Sequence, residues 1–211
     1  MENILIIGAH YDDAELGAGG TAAKLISMGK KVYKLTLTDN VTDYRQKNIV
    51  VRNETSVSES AQACAVLGGV VELDFAPLEC SKLEYSKEVM QRIEKLIFDY
   101  NIDTVFIHHP EDMNNDHIVA SRLSLTAARH CENIFTYQSN AYQLERIFAP
   151  SLFFDISDFI DKKREALDQY GKEHNRFSKL FETNIERNHI WGYSNEVEYA
   201  EGFGVIKGLV R

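Results

Sequence analysis

The feature that most constrains the fold is an alternation along the chain between short apolar runs and segments with helical periodicity. "NILIIGA" reads as a strand, residues 16–28 as a helix ended by Gly29, and "KVYKLTLT" as a second strand with Tyr33, Leu35 and Leu37 on one face. A polar loop over 39–48 leads into a helix ending at "AVLGG", and "VVELDF" is a third strand. Residues 86–100 set Val89, Ile93, Leu96, Ile97 and Tyr100 on one helical stripe, and "DTVFIHH" is a fourth strand. A helix is expected over 116–130. "NIFTYQS" and "SLFFDIS" are further strands, followed by helices over 158–170 and up to about residue 189, and "VEYAEGFGVIKG" closes the chain. Strands separated by helices need crossover connections. The pattern therefore predicts an α/β, Rossmann-like, three-layer fold with a mainly parallel sheet. No linker, repeat or low-complexity segment interrupts it, so residues 1–211 are expected to form a single domain.

In such a sheet the binding crevice lies at the carboxyl ends of the strands. The sequence loads two of those ends with metal-ligating side chains. His10, Asp12 and Asp13 follow the first strand, and His108, His109, Asp112, Asn114, Asp116 and His117 follow the fourth. A solvated loop is one reading of such a group, and a cation site is the other. His10, Asp13 and His117 together offer two imidazoles and a carboxylate and leave a coordination position open, which suits a catalytic zinc. Asp12, beside Asp13 but directed elsewhere, is then placed to take a proton from water. His130, His174 and His189 sit in charged helical surroundings and read as surface residues, as does the basic stretch "DKKREALDQYGKEHNRFSK". The glycines of "GAHYDDAELGAGGT" do not form GxGxxG in the turn after the strand, and adjacent carboxylates repel phosphates, so a dinucleotide site is not expected.

Composition limits the partners. With 23 Lys and Arg against 32 Asp and Glu, the net charge is −9, which argues against a nucleic-acid surface. Three cysteines without a CxxC pair indicate neither a disulfide framework nor a thiolate zinc site. "MENILIIGAH" lacks the basic start of a signal peptide, and no apolar run approaches the roughly 20 residues of a membrane span. The expected compartment is the cytoplasm. A homo-oligomer is left open.

These residues resemble the LmbE-like, or PIG-L, family of zinc-dependent N-deacetylases. The family signature AHPDD, followed by an acid and a glycine, is matched by "AHYDDAELGAGGT" at Ala9, His10, Asp12, Asp13 and Gly17. A second signature, P-x-D-x-H-x-D-H, is matched by "PEDMNNDH" at Pro110, Asp112, Asp116 and His117. "TDN" after the second strand is similar to the family's TDG or TNG, and "EYAEGFGVIK" to its AEAF ending. The resemblance implies zinc held by His10, Asp13 and His117, with Asp12 as general base. It implies Asp116 as a carboxylate orienting a neighbouring polar group, and Arg52 as a substrate contact. Tyr11 stands where proline is usual, Ala14 where glutamate is usual, and Asn114 where many members carry a histidine. Asparagine can hydrogen-bond an oxyanion but cannot act as an acid. The implied activity is removal of an N-acetyl group from an N-acetylated sugar or glycoconjugate of the N-acetylglucosamine type. The alternative is a metal-retaining, non-catalytic or binding member. Tyr142, Trp191 and Tyr193 are candidates to stack on a sugar ring.

Overall fold

A computed structural model describes residues 1–44, 46, 49–140, 142, 147–171 and 178–209. Strand β1 (Asn3–Gly8) runs into α1 (Asp13–Ser27) and β2 (Lys31–Thr36). An antiparallel pair, β3 (Thr42–Tyr44) and β4 (Ile49–Val51), precedes α2 (Asn53–Val66) and β5 (Val71–Glu72). Then come α3 (Lys87–Asp99), β6 (Thr104–His108), α4 (Asn115–Ala127) and β7 (Asn133–Tyr137). β8 (Leu152–Asp155), a 3-10 turn over Ser157–Phe159, α5 (Ile160–Leu167), α6 (Ser178–Tyr193) and β9 (Ala200–Lys207) follow. The loop expected over 39–48 thus contains β3, while Arg45, Lys47 and Asn48 lie outside the described residues.

Seven strands form one sheet in the order β5-β2-β1-β6-β7-β9-β8. β5, β2, β1, β6 and β7 are mutually parallel, and β9 runs antiparallel to both β7 and β8. This is the α/β, mainly parallel architecture that the alternation predicts. Strand alternation divides the apolar side chains between two layers. Ile4, Ile6, Phe106, Phe135 and Tyr137 pack with α1, α5 and α6, whereas Leu5, Ile7, Leu35, Val105 and Ile107 pack with α3 and α4. Because β1 lies between β2 and β6, the chain leaves it in one direction across the sheet and fills the other side later. The carboxyl ends of β1 and β6 therefore flank the topological switch point, where a crevice opens.

Local chemistry sets the helix boundaries. Ser86 caps α3 by accepting from the Val89 amide, and Val89, Ile93 and Ile97 bury its inner stripe. Helix α1 starts at Asp13, three residues before the expected boundary, and it is kinked: Ala18 has φ −147°. The amides of Gly20 and Thr21 turn instead to the buried Glu201 carboxylate, at 3.0 and 2.7 Å. Lys163, inside the stretch expected to be solvated, is fully buried and donates to Glu201, Asn188 and the Leu16 carbonyl. The helical period put it on the inner face of α5, and Glu201 supplies the counter-charge. His174 of the same stretch lies outside the described residues.

Gly17 brings α1 onto the sheet. A Cβ built there falls 2.1 Å from the ring of Tyr137, which is fully buried and donates its hydroxyl to the Ile7 carbonyl. We expect Gly17→Ala to lower the unfolding free energy by about 2 kcal/mol or more, the upper range for overpacking a core. Denaturant unfolding of the two proteins measures it, and equal midpoints would mean that α1 shifts freely.

Candidate metal centre

Strand ends and helix starts deliver the site. β1 ends at Gly8, and residues 9–12 turn directly into α1, so His10 and Asp13 lie on one tight turn, where the His10 amide donates to Asp13 Oδ2 at 2.7 Å. From the end of β6, the loop folds back through Asp112 to an N-cap at Asn114, whose Oδ1 accepts from the Asp116 amide at 2.9 Å. The cap sets His117 in the first turn of α4, facing the β1 turn.

The structure brings together the three side chains expected to hold an ion. His10 Nδ1 lies 3.2 Å from His117 Nε2 and 3.4 Å from Asp13 Oδ2, and His117 Nε2 lies 3.3 Å from Asp13 Oδ1. Donors bound tetrahedrally at about 2.0–2.1 Å from zinc stand about 3.3–3.4 Å apart, so this trio fits such an ion. Charge fits as well. Burial opposes protonation of His117, yet the Asp13 charge and the hydrogen bonds that the ring donates to Asp112 and Asp13 raise its pKa to about 9. Burial likewise opposes protonation of His10, and Asp116 and Asp13 outweigh it, raising its pKa well above the ordinary value. Two N–H groups cannot face each other across 3.2 Å, so at most one of the facing nitrogens carries a proton, and the acidic pocket favours a cation between them.

Each imidazole of the trio is gripped at its other nitrogen. His117 Nδ1 meets Asp112 Oδ2 at 3.0 Å, and His10 Nε2 lies 3.4 Å from Asp116 Oδ2. Such carboxylates fix tautomer and ring direction. Asp112 also accepts from the Asn114 amide, and Asp116 accepts from the amides of Ser81 and Leu83, so the carboxylates are themselves held. His108, fully buried at the end of β6, places Nε2 3.1 Å from Asp13 Oδ2 and stacks on His117 at 4.1 Å. His109 instead packs against Phe148. Cys80 joins His10 and Asp116 in a second group of potential donors, although Asp116 already serves two backbone amides.

Asp12 and Asn114 line a cleft of about 340 Å³ beside the trio. Asp12 occupies the N-cap of α1 without capping it, so its carboxylate is not committed to the helix end. Burial, then the neighbouring Asp13 charge, raises its pKa. Asn114 commits its carbonyl to the cap of α4, which leaves its amide nitrogen for the cleft. Arg52 does not join them. It precedes α2 in extended conformation, is exposed and is absent from the cleft lining, while Asn53 turns inward to the Asp39 carbonyl. The short β3–β4 pair re-routes the chain there. Of the aromatic candidates, Tyr142 lines the cleft; Trp191 packs on Phe148, Phe153 and Arg187, and Tyr193 is exposed.

Sequence reasoning placed Asp112 and His108 at the strand end, with one of His108 and His109 expected to face the cleft, but assigned neither a contact and gave Cys80 no role. Asp112 stands five residues before His117 across a turn, and His108 ends a strand beside another histidine; neither spacing indicates contact until the loop is folded. Asn40, in the "TDN" segment, lines the cleft at φ +57°, a left-handed conformation open to asparagine and glycine.

Comparison with known proteins agrees with this geometry. The family model of GlcNAc-PI de-N-acetylases, PIG-L, matches residues 5–128. The Escherichia coli (strain K12) protein YaiS, described as an uncharacterized deacetylase, is 29% identical over 166 residues, covering 74% of this chain and 83% of YaiS. Two solved structures share the fold. GalB, the 4-carboxy-2-hydroxymuconate hydratase of Pseudomonas putida KT2440, superposes with TM-score 0.85 at 19% identity, over 100% of this chain and 98% of GalB. The N,N'-diacetylchitobiose deacetylase of Pyrococcus horikoshii superposes with TM-score 0.79 at 21% identity, over 98% of this chain and 84% of the deacetylase. A hydratase and a deacetylase on one fold mean that architecture alone does not choose the reaction. The family match spans both loops that carry the His10–Asp13–His117 trio and more than half of the chain, and the protein belongs to the PIG-L family of de-N-acetylases.

Proposed function

We propose that the protein is a zinc-dependent hydrolase that removes the N-acetyl group from an N-acetylated sugar or glycoconjugate of the N-acetylglucosamine type. The observation that carries this is the Asp12 carboxylate lining the cleft beside the His10–Asp13–His117 trio. Residues 1–211 are read as one catalytic domain, since Lys163 and Glu201 from the C-terminal part bind the backbone of α1. Free thiols at Cys64, Cys80 and Cys131 support a cytoplasmic setting.

His10, Asp13 and His117 would hold a divalent ion, which when bound would supply Lewis acidity to water and to the acyl carbonyl. Asp12 accepts the proton of the attacking water at its carboxylate, which burial and the Asp13 charge make more basic than an ordinary aspartate. As the water oxygen adds to the acyl carbon, the amide nitrogen of Asn114 donates a hydrogen bond to the oxyanion. Asp12 then returns its proton to the departing nitrogen, the C–N bond breaks, and the second water proton passes from the new carboxyl group to the amine, so that acetate and the protonated amine leave. Asn40, Thr42, Ser81 and Asn140 offer neutral hydrogen-bonding groups around the cleft, and Tyr142 an aromatic face, a lining suited to sugar hydroxyls.

Metal binding tests the first requirement. Ligation needs unprotonated nitrogens, and His117 is raised to about 9, so below that pH the ion must displace a proton. Affinity should therefore rise with pH, by about tenfold per unit between pH 6 and 8 for one displaced proton. Chelator competition at several pH values measures this; a flat profile would show that the rings are already neutral. His117→Ala should lose most of the bound metal.

Asp12→Asn keeps every ligand and should retain metal while turnover of an N-acetylated sugar falls about 10²-fold or more. Loss of metal in this variant would exchange the roles of Asp12 and Asp13.

Asn114→Ser keeps a capping oxygen for α4 but shortens the donor away from the cleft. Turnover should fall by about 10²-fold with metal content and melting temperature near those of the wild type. An equally fast Asn114→Ser enzyme would make this side chain a cap and nothing more.

A further inference from the structure

The turn that carries Asp12 and Asp13 is held from behind by buried charge. Lys34 lies in the middle of β2, fully buried, in register with Ile6 and on the face that looks toward α1. Its ammonium donates to the Tyr11 carbonyl at 2.5 Å, to the Glu15 oxygens at 2.9 and 3.0 Å, to Ser60 Oγ at 2.8 Å and to Tyr170 Oη at 3.0 Å. The Tyr170 hydroxyl donates a hydrogen bond of its own to the same Tyr11 carbonyl, at 2.8 Å. One ammonium thus ties the peptide unit just before Asp12 to Glu15, two residues after Asp13. On the other side of that segment, Lys163 donates to the Leu16 carbonyl at 2.9 Å, a group that the kink at Ala18 releases from the helix. The tetrad from Asp12 to Glu15 is bracketed by two buried lysines.

A buried ion pair contributes little net stability, because desolvation of both charges offsets their attraction. The Lys34 bonds do constrain direction: with the Tyr11 carbonyl fixed, the plane of the peptide leading into Asp12 is fixed too. We propose that Lys34, together with Tyr170, is the positioning element of the metal-binding turn, acting through the Tyr11 carbonyl on the side-chain directions of Asp12 and Asp13. The inference rests on the role given to that turn above. Tyr170 follows α5 and lies beyond residues 5–128, so the C-terminal part of the chain contributes to the site without lining it.

Two variants separate positioning from stability. Tyr170→Phe keeps the ring and removes the hydroxyl. The double variant Lys34→Met with Glu15→Gln removes the ammonium and the charge it neutralises, so no buried ion is left alone. Ile160→Val thins the same core without touching the Tyr11 carbonyl and serves as the stability control. Co²⁺ is titrated into each metal-free protein and followed by visible absorption and chelator competition, with turnover measured in parallel. Groups that orient ligands typically change metal affinity by about 10–100-fold. We expect about tenfold weaker Co²⁺ binding in Tyr170→Phe, more in the double variant, altered absorption bands in both, and wild-type behaviour in Ile160→Val. Wild-type affinity and spectrum in both folded variants would overturn the proposal, as would an equal loss in Ile160→Val. If the wild type binds Co²⁺ but turns over no N-acetylated sugar, the hydrolase reading falls, and the Co²⁺ titrations still decide the positioning role.

Discussion

The carboxylate of Asp13 is only 2% exposed, and an isolated charge at that depth costs several kcal/mol. Its compensation ties together parts of the chain that are distant in sequence. The His10 amide binds it from the same turn, His108 approaches from the end of β6, and His117 approaches from the first turn of α4. Those contacts, with the charges of His117 and His108 foremost, outweigh burial and hold Asp13 well below the usual carboxylate range. The β1 and β6 ends are thus fixed to one another by a charge that neither could bury alone.

Around this carboxylate the charges are layered. Asp112 and Asp116 lie behind the rings of His117 and His10 and are anchored by main-chain amides, so ring directions are set by backbone rather than by mobile side chains. Behind the turn, on the core side, stand the ammonium groups of Lys34 and Lys163, each with its own buried glutamate. The cleft therefore presents acids and imidazoles, while the positive charge needed to carry them is kept out of reach of a substrate. Tyr11, at the position where proline is usual in the family, lacks a ring-locked φ. Its carbonyl is instead held by Lys34 and Tyr170, an equivalent restraint made of hydrogen bonds.

Departures from the family pattern take on structural content here. Ala14 is buried, and the next acid of the first helical turn after Asp13 is Glu15, committed to Lys34 rather than to the cleft. Asn114 divides its amide between two tasks, capping α4 with the oxygen and presenting the nitrogen. A histidine at that position would have a different division of labour, because one ring nitrogen would have to serve the cap.

What the sequence determined by itself was whatever depends on period and on adjacency. Alternating strand and helix patterns specify the parallel sheet, and the placement of His10, Asp13 and His117 just after two strands puts them on one edge of it. Local contacts such as the Ser86 and Asn114 caps belong to the same class. Tertiary structure alone decided the rest: that Lys34, a charged residue within an apolar strand, is a buried clamp; that Lys163 in a basic run faces inward to Glu201; that His108 rather than His109 reaches Asp13; and that Arg52 stays at the surface. The first three of those outcomes turn on a partner distant in sequence: Glu15 across 19 residues, Glu201 across 38 and Asp13 across 95. A buried charge is tolerated only where such a partner arrives, and no local pattern records its arrival.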